Sequence, residues 1–75
     1  MNKARRAKLN AIVNALNELK DDLEAVRDEE EEAKDNTPES LQETDRYQVM
    51  EESVDAMYDA TDALEEAIDS LEGIF

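Results

Sequence analysis

Carboxylates are the main chemical resource of this chain. Asp and Glu supply 22 of its 75 residues against eight Lys or Arg, with no His and no Cys, so any chemistry must be built from acids. Six of them, Glu52, Asp55, Asp59, Asp62, Glu66 and Asp69, recur in steps of three and four, which gathers them into one stripe on a helix. At ~3.5 residues per step and ~1.5 Å rise per residue, such a stripe offers a carboxylate every ~5 Å. One strand of duplex DNA presents a phosphate every ~3.4 Å, so the stripe is sparser. Four of the six are Asp, a poorer helix former than Glu, so helix propensity does not explain the choice.

The residue types exclude most catalysis. General acid–base work needs two titratable groups in contrasting environments, and a solvated acidic face supplies one. The Ser and Thr residues have no base beside them, and a single Gly makes no phosphate-binding loop. Asp28–Glu32, five consecutive acids, could attract Ca²⁺ or Mg²⁺ loosely, but an EF-hand loop needs alternating ligands around a Gly. A di-iron bundle site needs Glu-x-x-His, and structural zinc needs Cys or His. Glu30 falls in an apolar ladder and reads as a surface-reaching residue rather than a ligand. The expectation is a non-enzyme with no catalytic residues, no cofactor and no metal. The stripe then has two uses: a solvated face that keeps a small protein soluble, or a decoy that occupies a basic groove on a protein target, as a nucleic-acid mimic would.

Charge placement supports a protein partner over nucleic acid. Residues 1–17 carry Lys3, Arg5, Arg6 and Lys8 and no acid, whereas residues 18–75 carry all 22 acids and only Lys20, Arg27, Lys34 and Arg46. A surface this negative repels nucleic acid and anionic membrane and attracts basic protein surfaces. No apolar run is long enough to span a membrane, and none follows the basic start as a signal peptide requires, so a cytoplasmic location is expected.

The elements that position these acids are helices. Gly and Pro occur once each and helix formers dominate. From Tyr47 onward, Tyr47, Met50, Val54, Met57, Thr61, Leu64, Ile68, Leu71 and Phe75 form an unbroken heptad ladder. A second ladder beside it, Val49, Ser53, Ala56, Ala60, Ala63, Ala67, Ser70 and Ile74, has only small residues inside its ends. In the first half, Leu9, Ile12, Leu16, Leu19, Leu23, Val26, Glu30 and Ala33 repeat the same spacing. Between the halves, Asn36 suits a left-handed helix end, and Thr37 with Pro38 reads as a helix restart. Ser40 with Glu43 offers a competing capping box, so the second helix starts near Pro38 or near Thr44, and a short helical turn near Pro38–Gln42 is expected to run into it.

These boundaries give a single unit over 1–75: helix 2–35, turn 36–43, helix 44–73. Folding back about residue 40 pairs residues whose numbers total about 80. Leu9 then meets Leu71, Ile12 Ile68, Leu16 Leu64, Leu19 Thr61, Leu23 Met57 and Val26 Val54. Flanking Arg6, Lys20, Arg27 and Lys34 face Glu51, Tyr58, Glu65 and Glu72, with Arg6 near Glu72 and Arg27 near Glu51, which favours the antiparallel orientation. The expected fold is therefore all-α, an antiparallel two-helix hairpin. A hairpin this small, with no disulfide or zinc, needs further burial. The small ladder supplies a second seam: Ser53, Ala56, Ala60, Ala63, Ala67 and Ile74, with Ala4, Ala11, Ala15 and Ala25 of the first helix on the corresponding side. The expectation is a dimer forming a four-helix bundle.

Asp35-Asn36-Thr37-Pro38-Glu39-Ser40-Leu41-Gln42 followed by Asp45-Arg46-Tyr47 is similar to a segment of small acidic helical proteins of unassigned role from phages, prophages and conjugative elements of Gram-positive bacteria. Met1-Asn2-Lys3-Ala4-Arg5-Arg6, Met50-Glu51-Glu52, Ala63-Leu64-Glu65-Glu66-Ala67-Ile68 and Ser70-Leu71-Glu72 fit the same pattern. The resemblance brings no catalytic residues. It implies a mobile-element accessory protein in a bacterial cytoplasm, for which inhibiting a host enzyme or defence system is a common occupation. The leading expectation is an acidic binding protein engaging a basic host protein through the stripe. The alternative is a structural or adaptor module whose helices serve assembly and whose acids serve solubility.

Overall fold

Asn2 opens the first helix, α1 (Lys3–Asp35), by accepting the Arg5 amide on its side-chain oxygen at 2.8 Å. Thr44 opens the second, α2 (Asp45–Glu72), by accepting the Tyr47 amide at 3.3 Å. Each cap satisfies one of the amides that a helix start leaves unpaired. The computed structural model describes residues 1–74. They form an all-α, antiparallel two-helix hairpin with no strand among the described residues, a rod of 59 × 15 × 13 Å. Phe75, the last rung of the expected ladder, lies outside them.

The turn departs from the sequence reading at Asn36 and at Thr37–Pro38, while the expected short helical turn is present and the second helix takes the later of its two expected starts. Asn36 is right-handed (φ −85°, ψ 0°), because its amide closes onto the Glu32 carbonyl at 3.0 Å and Thr37's amide onto Lys34's at 3.1 Å. That helical closure leaves no need for a left-handed residue. Thr37 starts no helix; its hydroxyl donates back to the Ala33 carbonyl at 3.0 Å. Pro38 is extended (φ −57°, ψ 144°) and leads into a 3-10 turn, Glu39–Leu41, closed by the Leu41 amide on the Pro38 carbonyl at 2.8 Å. The true restart is Thr44, whose hydroxyl also donates to the Leu41 carbonyl at 2.7 Å and so ties the turn to α2.

α2 buries the large ladder. Val54, Thr61 and Ile68 are buried, and Tyr47, Met50, Met57, Leu64 and Leu71 are half-buried between them. α1 meets this face through a different column from the one its hydrophobicity suggests. Leu9, Leu16, Leu23 and Glu30 do face α2, but the positions between them are Val13 (buried), Lys20, Arg27 and Lys34 (half-buried). Ile12, Leu19 and Val26 are 49%, 59% and 53% exposed, and Ala33 is exposed too. Exchanging one column for its neighbour turns α1 by about 50°, half the ~100° between successive residues. The cause is polar. Arg27 and Lys20 have partners across the seam in Thr61, Tyr58 and Glu65, whereas Ile12, Leu19 and Val26 would face no polar need.

Candidate functional site

The six stripe carboxylates, Glu52, Asp55, Asp59, Asp62, Glu66 and Asp69, are all exposed along one side of α2. Glu52 accepts a hydrogen bond from the side-chain Nε2 of Gln48 at 3.3 Å. Among the described residues the two ion pairs are Lys20–Glu65 at 3.8 Å and Arg27–Asp28 at 3.2 Å, and neither touches the stripe. In Asp28–Glu32, Glu30 and Glu31 are half-buried at the seam and the other three face outward. No group of three or more carboxylates converges on a common point among the described residues. The turn end carries an open groove of about 490 Å³ lined by residues that include Ala33, Pro38, Leu41, Tyr47 and Met50. No described helix is long and apolar enough to cross a membrane.

A polar cluster lies within the seam. Arg27 donates to the Thr61 hydroxyl at 3.3 Å and lies 4.2 Å from the centroid of the Tyr58 ring, a cation–π distance. Thr61 is 2% exposed and its hydroxyl donates to the Met57 carbonyl at 2.7 Å, so the group both gives and receives a hydrogen bond. Tyr58 donates to Glu31 Oε2 at 2.6 Å. Arg27 also holds Asp28 through Nε and Nη2, both at 3.2 Å. No buried side-chain polar atom among the described residues lacks a partner. Burial works to lower the Arg27 pKa, but the hydrogen bond and charge of Asp28, with Tyr58 and Glu24, outweigh it and hold the guanidinium above its ordinary value. Tyr58 is raised above the ordinary phenol, first by its hydrogen bond to Glu31, then by burial and the Glu31 charge, against the opposing charge of Arg27.

The expected Arg27–Glu51 contact is therefore replaced. Arg27 reaches Tyr58 and Thr61, Lys20 reaches Glu65 and Glu31 reaches Tyr58, all five to nine residues further along α2 than the fold-back predicts. Helical side chains lean toward their own N-terminus, so tips that meet belong to higher-numbered residues than backbones that lie level. A buried threonine hydroxyl on α2 and an arginine opposite were the available signal for this cluster.

The same contacts show which flank is which. Glu31 and Tyr58 each follow a seam residue (Glu30, Met57), so that flank of the hairpin is polar. The opposite flank, one residue before Val13, Lys20 and Arg27 on α1 and before Val54, Thr61 and Ile68 on α2, holds Ile12, Leu19 and Val26 beside Ser53, Ala60 and Ala67. The residues of the small seam Ala56, Ala60, Ala63, Ala67 and Ile74 are exposed, Ile74 by 51%, and Ser53 is half-buried. Small side chains on α2 cannot shield the large aliphatics next to them. Of the four alanines expected to join this side, only Ala15 flanks the Ile12–Leu19–Val26 column; Ala4, Ala11 and Ala25 lie on the back of α1, seven residues or a multiple apart. The hairpin thus presents a composite apolar face with Val49 (59% exposed) and Ile74 toward its two ends. No protein-family model, curated protein or solved structure matches the chain.

Proposed function

We propose that this chain is a non-enzymatic helical-hairpin module that self-associates through the face holding Ile12, Leu19 and Val26 beside Ser53, Ala60 and Ala67. The observation that carries this reading is the width of the apolar arc on α1. A helix with one partner needs two seam columns; α1 fills them with Leu9, Leu16 and Leu23 and with Val13, Lys20 and Arg27, and keeps Ile12, Leu19 and Val26 as a further, apolar column. Its aliphatics remain about half exposed after the hairpin has closed. Covering them completes a four-helix bundle and supplies the burial that a 75-residue hairpin lacks. The test is the mass of the chain by sedimentation equilibrium. A dimer is expected for the natural sequence and a monomer for the double variant Ala60→Glu, Ala67→Glu. An unaltered mass in that variant rejects the face.

A second reading concerns the acidic stripe, which supports a role in binding a basic protein because all six carboxylates are exposed and none is ion-paired among the described residues. The resemblance to mobile-element proteins gives that reading its context, an inhibitor of a host enzyme that handles nucleic acid. Reversing Asp55, Asp59, Asp62 and Glu66 to Lys should abolish capture of the basic partner while helicity and mass are kept. Capture by the natural chain should fall steeply with salt. Equal capture by both chains rejects the stripe as a binding surface.

A further inference from the structure

We infer that the occupant of the apolar face is a second copy of this chain laid antiparallel, α1 on α1 and α2 on α2, with the turn of each copy at the open end of the other. This rests on the self-association reading above and adds the arrangement. The outward columns of α1 read Arg5, Lys8, Ile12, Ala15, Leu19, and then Asp22, Val26, Glu29 and Ala33, again in steps of three and four. Turned about a two-fold axis at Leu19, the series meets itself. Leu19 meets Leu19 of the other copy, Ile12 meets Val26, and Lys8 meets Glu29, an opposite charge, twice by symmetry.

The small seam of α2 is also symmetric. About a point between Ala60 and Ala63, Ala56 corresponds to Ala67, Ser53 to Ser70 and Val49 to Ile74, each pair matched in size. The two centres are independent readings of two helices. Leu19 and a point between residues 60 and 63 are also level across a hairpin that folds back about residue 40. One two-fold axis therefore serves both helices, and the alanines let the two α2 helices approach closely.

Charge along α1 favours this arrangement, beside the acids Glu66, Asp69 and Glu72 that α2 already brings to the basic end. The bases of residues 3–8 and the acids of residues 28–35 lie at opposite ends of a 59 Å rod, far beyond a Debye length of ~10 Å, so they cannot neutralise each other within one copy. The antiparallel dimer brings them together along α1. A parallel dimer instead sets two acidic turns side by side. A face of 59 by 15 Å covers about 900 Å², near the ~800 Å² each partner gives to a standard interface.

A chain without cysteine allows a clean label. Ser40 is exposed in the turn, and Leu19 is ~30 Å from it along the axis at ~1.5 Å per residue. Ser40→Cys carrying a nitroxide should give a spin–spin distance of about 60 Å in the dimer, twice that separation. Lys8→Glu should weaken association several-fold, and Glu29→Lys in the same chain should restore it. A dimeric mass with a spin–spin distance under ~25 Å, or no rescue by Glu29→Lys, overturns the arrangement and leaves self-association standing. A monomeric mass for the unsubstituted chain overturns both.

Discussion

Leu19→Gln separates the packing seen in the hairpin from the packing that hydrophobicity alone would choose. Leu19 is 59% exposed, so about two-fifths of the side chain is covered by its own hairpin. Complete burial of a leucine contributes ~2 kcal/mol, of which ~0.8 is already realised within the hairpin and ~1.2 remains for a partner. In dilute solution the variant should lose ~0.8 kcal/mol of stability, about 3–6 °C in Tm for a domain of this size. In the dimer the remaining term counts once per copy, ~2.4 kcal/mol together. That raises the dissociation constant about fifty-fold at ~1.4 kcal/mol per decade. Circular-dichroism melts at low concentration read the first quantity and sedimentation equilibrium reads the second. If Leu19 belonged to the hairpin seam opposite Thr61, the change would cost at least the ~2–5 kcal/mol of a leucine truncated in a core. A Tm drop of more than ~10 °C that does not vary with concentration, with the association constant unchanged, would refute the reasoning.

Ile68, at 5% exposure, is the contrasting site: Ile68→Ala should cost ~2–4 kcal/mol in denaturant melts, and a loss under ~1 kcal/mol would count against the α2 seam. Thr44→Ala should cost ~1 kcal/mol through the lost helix cap, while Thr37→Ala, which caps no helix start, should cost less; the reverse order in thermal melts would return the restart to Thr37. In a Tyr47→Phe background Tyr58 is the only tyrosine, and ultraviolet titration of its phenolate should give a pKa above the free value of ~10 that falls when Glu31 becomes Gln. Because the folded value is the higher one, the stabilisation from the protonated phenol is complete below pH ~10 and is lost as pH rises through the folded pKa. A melt that shows no added loss in that alkaline window would contradict it.

The hairpin itself was legible because length, ladder and turn all specify it. The packed face of α2 was legible too, since its large column has no apolar rival beside it: the neighbouring column is small and the next is acidic. α1 was ambiguous for a physical reason. Leu9, Leu16 and Leu23 are flanked on one side by Ile12, Leu19 and Val26 and on the other by Val13, Lys20 and Arg27. A reading by hydrophobicity takes the first flank. The structure takes the second, because long basic side chains can lay their stems on the seam while their heads reach Glu65, Tyr58 and Thr61. At the turn, Thr37, Ser40 and Thr44 carry comparable capping side chains, and only the backbone path after Pro38 decides among them. The six stripe carboxylates lie exposed on α2, the arrangement that heptad spacing on one helix imposes.

Thr61 has one further consequence, which concerns the folds this chain does not adopt. A heptad repeat fits its partner nearly as well after sliding by seven residues. If α2 slipped against α1 by one heptad in either direction, Arg27 would lie beside Val54 or Ile68 in place of Thr61. Neither side chain offers an oxygen, so Arg27 Nη1 would lose the hydroxyl it now meets at 3.3 Å. Glu51 or Glu65 would take the place of Tyr58 at the rim, and Asp28 would stay with the guanidinium. The slip therefore costs the hydrogen bond to Thr61 and the contact with the Tyr58 ring, a difference of ~1 kcal/mol per lost hydrogen bond. The buried hydroxyl of this ladder thus acts as an index mark: it adds little to the strength of the hairpin and gives one alignment a hydrogen bond that its heptad-shifted neighbours lack.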